Sequence, residues 1–369
     1  MMEARETLLA LLRSALWGVP CEMEPDPDWN KVMKLAEQQT VNGLIAEAVM
    51  HVPEESRPDA AARLKLHSRV TKIYQSHALL NRKVAEVKHI MDDAGIRSVL
   101  FKGQGLALNY PNPLSRQCGD IDLYVGERNF LKAMDIMEPD KEHDIRKYAH
   151  LKHFNTDSEG VEIEIHRVAC ILPGRRVDRL FREWTVEQLE KSELRKVVIG
   201  GEEINLPPAG FDAIFILYHA WHHFMTGGIG LRQLCDWALY LHRFHKELDI
   251  DELAGNLDRF GLRRAWEIFA SVAVKKLGLP ASECPLYTGR YDSRADKAME
   301  FIWEEGNFGK YSESRKTPRP KGHFAGKFYS FRTNTSRVAR LAAISPSEVL
   351  KSWTSYFMNG MRNVFVRLG

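Results

Sequence analysis

Between Arg97 and Val125 the chain reads RSVLFKGQGLALNYPNPLSRQCGDIDLYV, a run that ends by alternating Asp120 and Asp122 with apolar residues. Alternation of period two is the mark of a strand with one buried face, and it restricts this stretch to a sheet. Ile121 and Leu123 then point into a core while both aspartates share the opposite face, their roots about 7 Å apart. Carboxylates so placed on a rigid strand can converge on hard divalent cations and the phosphate oxygens those cations carry. An isolated Asp-x-Asp is also a common solvent-facing pair, so the flanks have to decide.

Upstream, Val99, Leu100 and Phe101 form a short apolar run that stops at Lys102-Gly103-Gln104-Gly105, before Leu106, Ala107, Leu108 and Tyr110. The pattern predicts strand, glycine turn and helix start, where outward backbone amides and the lysine charge favour an anion. It is no Walker A loop, because the lysine precedes the glycines. Downstream, Val161-Glu162-Ile163-Glu164-Ile165-His166 alternates strictly, and predicts a second strand with one apolar and one ionisable face. If the two strands are neighbours, Glu164 completes a three-carboxylate cluster whose repulsion bound cations relieve. An exposed edge strand would show the same alternation.

In order, Lys102-Gly103, Tyr110-Pro111, Arg116, Asp120-Ile121-Asp122-Leu123 and Glu164-Ile165-His166 resemble the pattern of the uncharacterised nucleotidyltransferase-like family, within the polymerase-β-type nucleotidyltransferase superfamily. The resemblance implies an α+β protein with a nucleotidyltransferase-fold mixed sheet core between an N-terminal helical region and a C-terminal helical domain. It implies Asp120, Asp122 and Glu164 as catalytic metal ligands for Mg2+ or Mn2+. Lys102, Gly103, Gln104, Gly105 and Arg116 are expected at the nucleotide, with NTP as substrate. The wider superfamily has Gly-Ser where this chain has Lys102-Gly103, and a nucleotide-binding sensor or scaffold without turnover therefore stays open beside the enzyme. The acceptor, a small molecule, an RNA or a protein, is not encoded in any motif.

At 369 residues, 44% of them hydrophobic, the chain can bury a sizeable core. Cys21, Cys118, Cys170, Cys235 and Cys284 are odd in number and scattered, which indicates neither a disulfide framework nor a zinc ribbon and fits a reducing, cytoplasmic setting. The first residues, MMEARETLLALLRSALWG, mix charges into a short apolar stretch unlike a secretory signal. Breaks in pattern divide the chain into a helical region at 1–96, a mixed α/β core at 97–206, a helical segment at 207–310 and a basic, aromatic segment at 311–369. Within these, Ala60 to Met91 is one amphipathic helix, Lys196 to Leu206 is a hairpin about Gly200-Gly201, and helices run from Phe211 to Phe224 and from Leu231 to Phe244.

His219, His222 and His223 share a helix at i, i+3 and i+4 spacing, which suits either a metal site or a packed polar network; Arg232 and Asp236 are spaced for an i, i+4 ion pair. The net charge of +3 carries no global nucleic-acid signal. Locally, residues 310–340 are basic and interleaved with Phe324, Phe328, Tyr329 and Phe331. That segment suits an anionic partner such as RNA or a membrane surface, or equally a solvated linker with a packed end. Finally, since like-charged carboxylates repel, neither Asp120 nor Asp122 is expected to contribute to stability without metal.

Overall fold

The computed structural model of the chain describes residues 2–141, 148, 151–311, 335, 337–346 and 348–349. The basic aromatic stretch at 312–334 and the end from Trp353 to Phe365 lie outside the described residues. Leucines at helical spacing, Leu8, Leu9, Leu11, Leu12 and Leu16, bury one side of α1 (Met2–Trp17). Pro25-Asp26-Pro27 breaks the chain before α2 (Trp29–Gln39), whose N-terminus is capped by Asp28. After α3 (Asn42–Val49) comes the long α4 (Ala60–Asp93), capped by Asp59 and matching the amphipathic stretch read in the sequence.

The sheet begins with β1 (Val99–Phe101), followed by a single helical turn, α5 (Gly103–Ala107), and β2 (Asp120–Tyr124). Helix α6 (Gly126–Met137), β3 (His153–Ser158) and β4 (Val161–His166) complete it. The order is β1-β2-β4-β3, with β2 and β4 parallel and both outer pairs antiparallel. Alternation is obeyed: Ile121, Leu123, Ile163 and Ile165 pack against Leu80, Val84, Val87 and Met91 of α4 and against Phe130 and Met134 of α6. The acids are thereby turned to the other face.

After α7 (Arg175–Val186), β5 (Arg195–Ile199) and β6 (Glu202–Leu206) form the expected hairpin. Gly200 and Gly201 both have positive φ, as its two-residue turn requires, and a Cβ on Gly200 would strike the Asn81 carbonyl of α4. Helices α8 (Ala209–Thr226), α9 (Leu231–Phe244), α10 (Ile250–Arg259), α11 (Arg263–Lys275) and α12 (Asp292–Glu305) follow. Their core is continuous with that of α1 to α3. Arg5 pairs with Glu300 at 2.8 Å and Trp17 Nε1 donates to the Leu277 carbonyl, so α1 closes on the helical segment that follows β6. The polar face of β2 and β4 consequently looks across a cleft at α8 and α9.

The molecule is therefore α+β, with a mixed sheet flanked by helices that precede and follow it in the sequence. Among the described residues no helix is long and apolar enough to cross a membrane, and all five cysteines are free.

Candidate active site

The parallel register sets Asp120 beside Glu162 and Asp122 beside Glu164. Asp120, Asp122 and Glu164 line one cavity of about 190 Å³, together with Lys102, Gly103, Arg116, Lys152, His153, His219, His223 and Arg232. Glu162 is exposed and outside this cavity, its carboxylate taken by the Asn155 amide at 2.6 Å. The choice of Glu164 over Glu162 is thus made by depth on the strand, which alternation alone does not encode.

Asp122 is the best-held acid. Its Oδ1 lies 2.9 Å from Lys102 Nζ and 2.8 Å from His166 Nε2, and only 2% of the side chain is exposed. Burial would raise its pKa, but the Lys102 charge and the His166 hydrogen bond outweigh it and hold the carboxyl well below the usual range. Asp120 goes the other way: burial and the neighbouring Asp122 charge push its pKa up, against weaker attraction from Lys102. Glu164 is lowered, because the His166 hydrogen bond helps outweigh its burial. The empty-site partner of Lys102 is therefore Asp122. Asp122 is thus the counterion of a buried ammonium, which sets it apart from Asp120 in the metal-free protein.

Lys102 links the sheet to α8: its Nζ lies 3.0 Å from His219 Nε2, which lies 3.2 Å from His223 Nε2. Burial and the Lys102 charge keep His219 far below its ordinary pKa, so the neutral ring accepts from the ammonium. Lys102 has φ of 48°, a conformation that costs a non-glycine residue about 1–3 kcal/mol, and its two side-chain partners hold the turn in place. His222 is exposed and faces away, so His219 and His223 serve as a polar network and the three histidines do not converge.

The remaining residues expected at the nucleotide divide. Gly103 lines the cavity, with its φ positive, and a Cβ there would meet the Asp120 carbonyl at 3.4 Å. Gln104 turns away, its amide reaching His77 Nδ1 at 3.1 Å and the Asn81 side chain. Gly105 allows close packing, because a Cβ there would come within 2.8 Å of Leu206. Arg116 reaches the cavity wall, but Asp236 holds it in a bidentate pair at 2.7 and 2.8 Å, and Tyr110 donates to the same carboxylate. The i, i+4 pairing of Arg232 with Asp236 is not formed; Arg232 donates to the Gln117 carbonyl. The buried Arg116–Asp236 pair fastens the loop before β2 to α9.

No sequence pattern singles out Lys152, just before β3, or His153, its first residue. Lys152 has no ion-pair partner among the described residues, and burial, then the Lys102 charge, lowers its pKa. Their only local signal is a Lys-His pair opening the strand beside Glu164-Ile165-His166. Phe308, whose ring lies against His223 at a centroid distance of 5.1 Å, closes the far side of the cavity.

Acids from two neighbouring parallel strands of an α+β core thus share one cavity with Lys102 and Lys152. The chain belongs to the family of uncharacterised nucleotidyltransferases, whose model matches residues 25–278. Among solved structures it is similar to an antigenic nucleotidyltransferase-like protein from Paracoccidioides brasiliensis, at 12% identity over 55% of this chain and 92% of that one, with a TM-score of 0.29. No curated protein matches the chain.

Proposed function

We propose that the chain transfers a nucleoside monophosphate from an NTP to an acceptor hydroxyl and releases pyrophosphate. The observation that carries this reading is the register of Asp122 with Glu164, with Asp120, Asp122 and Glu164 lining one cavity together with two lysines. An all-oxygen set of carboxylates fits Mg2+ or Mn2+, and Asp120, Asp122 and Glu164 would hold the ion. When bound, such an ion neutralises phosphate charge and makes an acceptor hydroxyl easier to deprotonate.

The chain's own residues supply the rest. Lys102 and Lys152 point positive charge into the cavity and would bind the non-transferred phosphates and the departing pyrophosphate. Lys102 is carried on a braced turn, so little reorganisation is needed to meet a polyanion. His219, neutral and accepting from Lys102, keeps that ammonium aimed at the strand. Arg116 positions the loop leading to Asp120, its charge already matched by Asp236. Glu164, on the strand beside β2, would orient the acceptor hydroxyl.

The test is incubation of the full chain with each α-labelled NTP, magnesium and cell extract, followed by measurement of pyrophosphate and of label on extract components. Labelled product with stoichiometric pyrophosphate, absent in Asp120→Asn, is expected. Saturable NTP binding with no pyrophosphate under any condition would overturn the enzyme reading in favour of a nucleotide sensor. Salt-sensitive binding to RNA or anionic vesicles without NTP dependence would favour an interaction protein instead.

A further inference from the structure

Beside the three acids is a second constellation, in which His153, Glu164 and His166 each offer a ligand atom within 4.8 Å of the others. His166 Nε2 is 3.2 Å from Glu164 Oε2, and His153 Nδ1 is 3.3 Å from the same oxygen. Asp122 Oδ1 adjoins them, 2.8 Å from His166 Nε2. Hydrogen bonding accounts for only part of this convergence. An imidazole Nε2 carries one hydrogen at most, yet His166 Nε2 faces two carboxylate oxygens. His153 Nδ1 is buried and makes no hydrogen bond despite its closeness to Glu164. Two nitrogens and the Glu164 carboxylate thus share one place, and Asp122 adjoins it only through His166.

The two separations from Glu164 Oε2 are those of metal ligands. Bonds of about 2.0–2.2 Å put neighbouring ligand atoms about 2.8–3.6 Å apart, from octahedral to tetrahedral geometry. Imidazole nitrogens are borderline donors that suit zinc and its neighbours, whereas magnesium prefers oxygen and keeps its water. His166 is fixed within the core by β4, and His153 is opposite it in the antiparallel register of β3, so the sheet itself builds the set.

We infer that His153, Glu164 and His166 form a three-ligand zinc-type site beside Asp122, distinct in ligand chemistry from the all-carboxylate set that includes Asp120. Zinc binding here does not depend on the nucleotide reading. One consequence does: zinc takes up Glu164 and adjoins Asp122, so it would compete with magnesium-dependent transfer.

The experiment uses the full chain, stripped with EDTA and dialysed, titrated with Zn2+ against a chromophoric chelator and separately with Co2+ as a spectroscopic probe. One equivalent of zinc, bound far more tightly than magnesium, and visible cobalt bands of four-coordinate intensity are expected. His153→Ala, at a partly exposed position, should keep the wild-type melting temperature and weaken zinc by about 100-fold or more, at least the upper end of the loss seen when a mere supporting group is removed. Glu164→Gln, nearly isosteric, should do the same if His153→Ala proves unstable. Asp120→Asn should retain zinc while losing magnesium-dependent transfer, which separates failure of this inference from failure of the nucleotide one. Absence of stoichiometric zinc, unchanged affinity in both variants, or near-ultraviolet thiolate-to-cobalt bands showing cysteine ligation would overturn the site.

Discussion

Asp120→Asn and Asp122→Asn should both abolish transfer, but their effects on stability should differ, and the structure gives the size of the difference. Asp122 is 2% exposed and its carboxylate neutralises Lys102, itself 13% exposed. Its amide replacement leaves that ammonium buried with only neutral His219 as partner. Breaking a buried pair from one side costs about 3–5 kcal/mol, and the low end suits Lys102, which keeps one hydrogen bond. Asp120 is raised in pKa by burial and by Asp122, so its charge is unwelcome in the metal-free protein. Removing it should leave stability unchanged or raise it by less than about 1.4 kcal/mol, the equivalent of one pKa unit.

The assay is thermal and urea unfolding in EDTA at neutral pH. Asp122→Asn should lose about 3 kcal/mol, several degrees of melting, while Asp120→Asn melts at or above wild type. Lys102→Met/Asp122→Asn should lose less than the sum of the single changes, since the second removes the charge the first strands. Equal melting of the two single variants, or strict additivity in the double, would refute the argument that Asp122 anchors the turn.

Within the acids of β4, Glu164→Gln should cost most of the transfer activity and Glu162→Gln little, because only Glu164 lines the cavity; equal losses in steady-state rates would remove Glu164 from the site. Burial, foremost, holds His153 and His223 down to about 4. Unfolded imidazoles bind a proton near pH 6.5 and these do so only near 4, so stability should fall as pH drops through that window. The slope is at most about 1.4 kcal/mol per pH unit for each histidine, less after solvent screening, and urea midpoints that rise on acidification would contradict it. Asp236→Asn leaves Arg116, 5% exposed, without a counter-charge and should destabilise by about 3–5 kcal/mol in the same unfolding assay, whereas a near-neutral effect would show that water reaches the guanidinium.

How far the sequence can be read follows from the range of each interaction. Alternation in Asp120–Tyr124 and Val161–His166 is local, and it decides which side chains share a face before any partner is known. The long helix Ala60–Asp93, the Gly200-Gly201 hairpin and the paired helices α8 and α9 are likewise written in short-range pattern. Which strand adjoins β2 is not, because β3 and α6 intervene before the parallel partner arrives, and only their packing places Glu164 beside Asp122.

The residues whose surroundings were least legible are those with distant partners. Arg116 looks free for phosphate until Asp236, 120 positions later, pairs with it, and Gln104 looks ready for a ligand until α4 supplies His77 and Asn81. Arg232 fails to meet Asp236 for the same reason, since a stronger nonlocal partner outbids an i, i+4 neighbour worth about 0.3–0.5 kcal/mol. His153 is the sharpest case. Nothing in HFNTDSEG alternates strongly, and only the antiparallel register with β4 brings its ring to Glu164 and His166. The acids can thus be named from a short motif, whereas Lys152, His153 and the His219–Lys102 brace are assembled by tertiary packing, and variants at these positions are where the metal and acceptor preferences of the cavity should be sought.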